Sequence, residues 1–301
     1  MESGRSNSPT QLPTHGAPSR ELQRRVITGL VGGVALVLLV IYGGWIGIGL
    51  LCILLSLGMT SEFAAMVFQL PDRAQKQRWM IGLCVLLNLV ALVVDRRGVD
   101  ILERHGVVDG FLFAFLALFI LFLVSAKRYA SDSAHYAQHF RELMFSVFGL
   151  IYATILTLYL SRLHSLAWGV EWTLLFLLIV WAGDTGAYFA GRKWGKTKLY
   201  PEVSPKKTWE GSWGGLAAGL IVSLLVKLSF FPQLSWLGAA LIPLIVGVIA
   251  QVGDLCESFL KRSFDQKDSG SILAGHGGFL DRFDGVIFSL PVMFVLARLF
   301  S

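Results

Sequence analysis

Residues 254–284, DLCESFLKRSFDQKDSGSILAGHGGFLDRFD, carry four basic and six acidic side chains in 31 positions between two apolar runs. Asp254, Glu257, Ser258, Lys261 and Arg262 fall at i, i+3, i+4, i+7 and i+8, which on a helix is one polar stripe, with Leu255, Phe259 and Leu260 off it. Asp281 and Asp284 share a face three residues apart where the next apolar run opens. Carboxylates clustered beside cations suit a divalent metal holding a phosphate, because Mg²⁺ takes one or two carboxylates and completes its shell with water and phosphate oxygens. The stretch Gly275-His276-Gly277-Gly278 permits unusual backbone angles and close approach to a ligand, and at a helix start its N–H groups would bind an anion. A solvated loop with ordinary ion pairs is the alternative; charges spaced on faces and joined by a glycine-rich turn argue against it.

A second stretch, 184–211, has the opposite balance, with net charge +3 against −2 for residues 254–284. Asp184, Tyr188 and Gly191 share a helical face, and six basic residues follow, ending in Ser204-Pro205-Lys206-Lys207-Thr208. A basic loop beside an acidic one fits a polyphosphate and its metal. The competing reading for Arg192, Lys193, Lys196 and Lys198 is an electrostatic anchor on anionic lipid. Residues 191–197, GRKWGKT, imitate a phosphate-binding GxxxxGK[ST] loop but are one residue short between the glycines and follow a membrane helix instead of a strand. Glu62 lies near the end of an apolar run, where it either touches the site or faces the interface, the latter being the expected reading. His105, His135, His139 and His164 are read as loop residues, and the HxxxH pair at 135 and 139 has no acidic third ligand nearby.

The elements that position these residues must be membrane helices. Of the 301 residues 54% are hydrophobic and only 15% charged, with mean hydropathy +0.64, which excludes an ordinary soluble domain and general disorder. Three cysteines without a CxxC pair exclude a disulfide framework and a cysteine zinc site, and Cys52 and Cys84 read as small apolar residues. A span needs about 20 apolar residues. Nine runs qualify: 26–42, 45–68, 79–94, 110–126, 143–161, 172–190, 213–230, 236–253 and 284–300. The expected fold is therefore all-α and polytopic, with residues 1–25 a disordered tail, 26–301 one membrane-embedded domain, and a tight hairpin at Gly43-Gly44. Placing the N-terminus in the cytoplasm puts 20 of the 26 Lys and Arg on cytoplasmic segments, against Arg96, Arg97, Arg104 and Arg162 opposite. Lys227 and Arg298 remain, near helix ends where they snorkel. Both charged stretches then share the cytoplasmic side. Gly211, Gly215 and Gly219 form one close-packing face, which serves internal packing at least as well as a homodimer.

The sequence resembles the phosphatidate cytidylyltransferase (CDP-diacylglycerol synthase) family. Ser258, Lys261, Arg262, Lys267, Asp268, Gly270, Leu273, His276, Gly277, Gly278, Phe279, Asp281, Arg282, Phe283 and Asp284 match that family's C-terminal signature in register, with one small-residue departure at Ala274. Asp184, Tyr188, Gly191, Arg192, the run Ser204–Thr208, Glu210 and Gly211 match its other characteristic stretch. The resemblance implies transfer of CMP from CTP to phosphatidic acid with Mg²⁺, and a second cation is open. It implies a multi-pass enzyme of a bacterial inner membrane, an organellar membrane being the alternative, with CTP, phosphatidic acid and membrane lipids as partners and no nucleic acid. The catalytic set expected is Asp254, Ser258, Lys261, Arg262, Lys267, Asp268, His276, Asp281, Arg282 and Asp284. Asp184, Tyr188, Ser204, Lys206, Lys207, Thr208, Gly277 and Gly278 are expected to bind substrate, and Asp254, Asp281 and Asp284 to hold the metal. Two rivals are a CTP-dependent polyprenol, dolichol or phytol kinase and a secondary transporter. A transporter places ionisable groups near the bilayer midplane, whereas runs 26–42, 79–94 and 143–161 have none in their middles.

Overall fold

A computed structural model of the chain describes residues 18–68, 72–97, 100–126, 133–270 and 277–301. The chain divides into two units, Met1–Leu36 and Val37–Ser301. In the first, helix begins at Pro18, inside the segment expected as a tail, and residues 1–17 lie outside the described residues.

Ten helices run α1 (Pro18–Tyr42), α2 (Gly44–Val67), α3 (Arg73–Arg97), α4 (Asp100–Ala126), α5 (Ser133–Leu150), α6 (Leu156–His164), α7 (Gly169–Trp194), α8 (Trp209–Ser229), α9 (Trp236–Ser263) and α10 (Leu280–Phe300). A five-residue π segment, Ile151–Ile155, fuses α5 and α6 into one span. Among the described residues seven helices are long and apolar enough to cross a membrane, and two shorter apolar helices cover Val31–Tyr42 and Leu112–Ala126. The nine runs thus fall largely within helices, seven of them in helices of spanning length, and the protein is a multi-pass α-helical membrane protein. The four histidines expected in loops are helical instead, because the polar residues around them continue the flanking apolar periods. Of these, His139 is buried and its Nε2 lies 2.8 Å from Phe122 O and 3.0 Å from Ser125 Oγ, which ties α5 to α4.

Backbone polarity inside lipid forces the chain into helices; what then holds the helices together is small residues and buried polar pairs. A Cβ added at Gly215 would sit 2.8 Å from Gly183 O, and one at Gly211 would sit 2.9 Å from Ala187 O. The glycine face of α8 is therefore closed against α7, which leaves a homodimer to another surface. Asn88 Nδ2 on α3 donates to Ser56 Oγ on α2 at 2.8 Å. Lys76 is fully buried between Asp72 at 2.8 Å and Glu142 at 2.5 Å, linking the start of α3 to α5. Cys52 and Cys84 are buried, as expected of apolar positions. Among the described residues the helices are interrupted by one sheet, an antiparallel hairpin of β1 (Lys198–Tyr200) and β2 (Ser204–Thr208) between α7 and α8.

Candidate active site

The C-terminal turns of α7 and α9, the N-terminal turns of α8 and α10, and the hairpin enclose a cavity of about 570 Å³. Helix α7 contributes Asp184, Tyr188 and Gly191 at the predicted spacing, with Arg192 beside them, whose Nη1 donates to Tyr188 Oη at 3.1 Å. Strand β2 brings Lys206 and Lys207 to the wall, and Thr208 ends it by capping α8, its Oγ1 accepting from Gly211 N at 3.2 Å. Glu210 fixes the preceding turn by accepting from Lys196 N at 3.1 Å and Thr197 N at 3.2 Å.

Opposite them, α9 presents Asp254, Glu257 and Lys261, and α10 presents Asp281, Arg282 and Asp284. The charges are joined in pairs. Lys207 Nζ lies 2.5 Å from Asp254 Oδ2, so the basic loop and the acidic helix meet directly. Lys261 Nζ lies 2.7 Å from Glu257 Oε2 and 2.6 Å from Asp281 Oδ1. Asp281 Oδ2 also accepts from Ser269 N and Gly278 N, both at 3.0 Å. Asp284 Oδ1 accepts from Gly285 N at 2.7 Å. Asp184 and Asp284 each lie within electrostatic range of Asp254 and Lys207. Several carboxylates sharing a partly dry space repel one another, and cations relieve that repulsion.

Of the expected site residues, Asp184, Tyr188, Lys206, Lys207, Thr208, Asp254, Lys261, Asp281, Arg282 and Asp284 line this cavity. Ser258, Arg262, Lys267, Asp268, Ser204, Gly277 and Gly278 do not. Arg262 Nη1 donates to Gln266 O at 3.2 Å and closes the end of α9. Lys267 and Asp268 are exposed, and Ser204 pairs with Tyr200 across the hairpin. Gly277 adopts φ +83°, where an L side chain is strained, and a Cβ there would meet Asp281 Oδ2 at 3.2 Å. His276 lies outside the described residues.

Two lining residues extend the expected set. Gln251 and Ser212 hydrogen-bond across α9 and α8, side chain to side chain and through Gln251 Nε2 to Ser212 O at 3.2 Å. Gln251 stands three residues before Asp254, so the polar stripe simply runs one turn further. The reading of Glu62 is corrected. It is buried, not interfacial, and its Oε2 accepts from Ser269 Oγ at 3.2 Å and Leu280 N at 3.0 Å. The available signal was a lone ionisable residue inside an apolar run, which itself marks a site.

Comparison with known proteins adds an independent line. The pattern of the Cytidylyltransferase family matches residues 23–300. A phosphatidate cytidylyltransferase of Bacillus subtilis (strain 168) is 31% identical over 284 residues, covering 93% of this chain and 99% of that protein. One of Brucella suis biovar 1 (strain 1330) is 33% identical over 285 residues, covering 93% and 94%. One of Staphylococcus saprophyticus subsp. saprophyticus is 44% identical over 159 residues, covering 52% and 60%. The chain belongs to the cytidylyltransferase family.

Proposed function

We propose that this member of the cytidylyltransferase family transfers CMP from CTP to phosphatidic acid, giving CDP-diacylglycerol and pyrophosphate. The observation that carries the reading is the cavity in which Lys206, Lys207, Lys261, Arg192 and Arg282 surround Asp184, Asp254, Asp281 and Asp284 at the ends of membrane helices. A soluble triphosphate and a lipid phosphate can meet only at such a boundary. The phosphatidate oxygen attacks the α-phosphorus and pyrophosphate leaves, so the site needs no protein nucleophile. A phosphate monoester is largely ionised at neutral pH, its second pKa lying near 6, so a general base is a weak demand. The chain's task is to align two anions that repel each other and to neutralise charge on the leaving oxygens.

We assign Lys206 and Lys207, which line the cavity, to the triphosphate. A guanidinium, that of Arg282, which lines the cavity, is assigned to the lipid phosphate, since its fork suits bidentate contact.

The donor set facing the cavity is all oxygen, which suits a hard cation such as Mg²⁺. Among the described residues no three His, Cys, Asp or Glu side chains form a ready metal cage. That fits an ion that completes its shell with substrate phosphate. Asp254, Asp281 and Asp284 would hold it, and once bound it would polarise the phosphoryl oxygens and neutralise developing charge. Lys207 and Lys261 hold Asp254 and Asp281 in place through their ion pairs.

We place the enzyme in a bacterial inner membrane, with N-terminus and cavity on the cytoplasmic side. The test uses the purified full chain with radiolabelled CTP, phosphatidic acid and Mg²⁺. Label in a lipid product with release of pyrophosphate, both abolished by chelator, is the expected result. No labelled lipid from cytidine-labelled CTP, or transfer to an added polyprenol of label from γ-phosphate-labelled CTP alone, overturns it.

A further inference from the structure

Helix α10 opens with Asp281, Arg282 and Asp284, yet its own N-cap, Phe279, provides no side-chain hydrogen bond to the helix start. The first N–H groups of a helix have no partner within it and need one from elsewhere. Here the acceptor arrives from 218 residues away, where Glu62 Oε2 takes the Leu280 N–H at 3.0 Å. The same oxygen accepts from Ser269 Oγ at 3.2 Å. One carboxylate on α2 thus ties Ser269, just after α9, to Leu280, the first residue of α10.

The fit around it is close. A Cβ on Gly278 would lie 2.5 Å from Glu62 Oε2, and a Cβ on Gly270 would lie 2.6 Å from Glu62 Oε1. One turn earlier on α2, a Cβ on Gly58 would meet the Phe279 ring at 2.7 Å. Gly58 and Glu62 therefore form a seat for the start of α10. Asp281 grips the same two segments from the cavity side, through Ser269 N and Gly278 N, and holds Lys261. Glu62 and Asp281 thus both bind Ser269 and both hold the start of α10, Glu62 at Leu280 N and Asp281 at Gly278 N.

We propose that Glu62 is a positioning residue of the cavity, fixing Ser269 and the first turn of α10 so that Asp281 and Lys261 face the substrates. Glu62 does not line the cavity and acts through Ser269, Leu280 and Asp281. The proposal rests on the reading of the cavity as the catalytic site. A misplacement of about 1 Å costs on the order of a hundredfold in rate, so a modest loop shift has a large kinetic effect.

The experiment compares Glu62→Ala, Glu62→Gln, Ser269→Ala and wild type in detergent, by hydrogen–deuterium exchange and by steady-state kinetics. In Glu62→Ala, faster exchange should be confined to residues 265–283, while the other helices keep their protection. Its kcat/KM for CTP should fall by about ten- to a hundredfold, with a higher Mg²⁺ concentration for half-maximal rate. Glu62→Gln keeps an acceptor oxygen and should restore both readouts to near wild type. Ser269→Ala removes one of the two bonds and should fall between. Unchanged exchange in 265–283 for Glu62→Ala overturns the proposal, as does raised exchange throughout the bundle. A Glu62→Gln variant as defective as Glu62→Ala also overturns it. The exchange arm needs no substrate, so a wild type that makes no CDP-diacylglycerol would refute the proposed reaction while the clamp is still decided.

Discussion

At the scale of single residues, the cavity is a set of lysine–carboxylate pairs, and this sets what substitution does. Asp281→Asn keeps the shape but removes the charge that faces Lys261 at 2.6 Å. It also turns one of the two acceptor oxygens used by Lys261, Ser269 and Gly278 into a donor. Turnover should fall by about 10²–10³, as when a preorganised electrostatic partner is lost, while circular dichroism shows the fold intact. Asp265→Asn is the control. Asp265 is exposed with φ +54°, a conformation that Asn tolerates, so its rate should stay within about twofold of wild type. Equal rates for the two variants would remove Asp281 from the site. Lys207→Ala should lower kcat/KM for CTP by about tenfold or more, each charge-assisted contact contributing ~1.5–3 kcal/mol. Its effect should persist at moderate salt, because the Lys207 side chain is only 24% exposed. Lys198 is exposed and off the cavity, so the effect of Lys198→Ala should depend on anionic lipid and fade with salt. Matching salt and lipid dependence in the two lysine variants would make the hairpin an anchor alone. The residues that sequence spacing exposed are those whose partners are local, such as Asp254, Glu257 and Lys261 on one stripe. Glu62 escaped because both of its partners are more than 200 residues away, and a lone charge in an apolar run shows none of them.

At the scale of elements, the site depends on how closely α7 and α8 approach. Asp184 and Tyr188 sit on one of these helices, and Thr208 with the two lysines leads directly into the other. The contact is made by backbone against backbone at Gly183, Gly215, Ala187 and Gly211. Gly215→Ala puts a methyl 2.8 Å from a carbonyl oxygen that is itself fixed in a helix, so the helices must separate. Overpacking of this kind costs about 1–3 kcal/mol, and both thermal stability and activity should drop. Gly82→Ala on α3 meets nothing within 4 Å and should leave both unchanged or raise stability slightly. A Gly215→Ala variant as stable and active as Gly82→Ala would show that the approach is not needed. The GxxxGxxxG spacing identified the packing face, but a single sequence does not say which helix fills it. The hairpin was hidden for a different reason. Its strands are three and five residues long, and Ser-Pro-Lys-Lys-Thr has no apolar alternation to reveal it.

At the scale of the whole molecule, contacts between helix ends and the charge of the loops make independent statements about orientation, and they agree. Glu62 near the end of α2 meets the start of α10, and Phe145 on α5 meets Phe264 at the end of α9 with ring centroids 5.1 Å apart. Lys76 at the start of α3 meets Glu142 on α5, and Ser125 at the end of α4 meets His139. Lys207 before α8 meets Asp254 on α9, next to the end of α7. These ends therefore belong to one side. The loops joining them are those that carry the excess of Lys and Arg, so by the positive-inside bias we propose that this side is the cytoplasm. Ser301, at the far end of α10 from Asp281, must then lie on the other side. A reporter inserted in the 201–203 turn of the hairpin should read as cytoplasmic, and one fused after Ser301 should read as external. The turn tolerates insertion because it is mostly exposed and ends two short edge strands. Finding both reporters on the same side would require α10 to enter and leave by the same face. That would break the bundle order inferred from the polar contacts as well as the charge argument. Both reporters inverted would instead leave the bundle intact and put the cavity outside, where neither CTP nor its charge-rich loops would be accounted for.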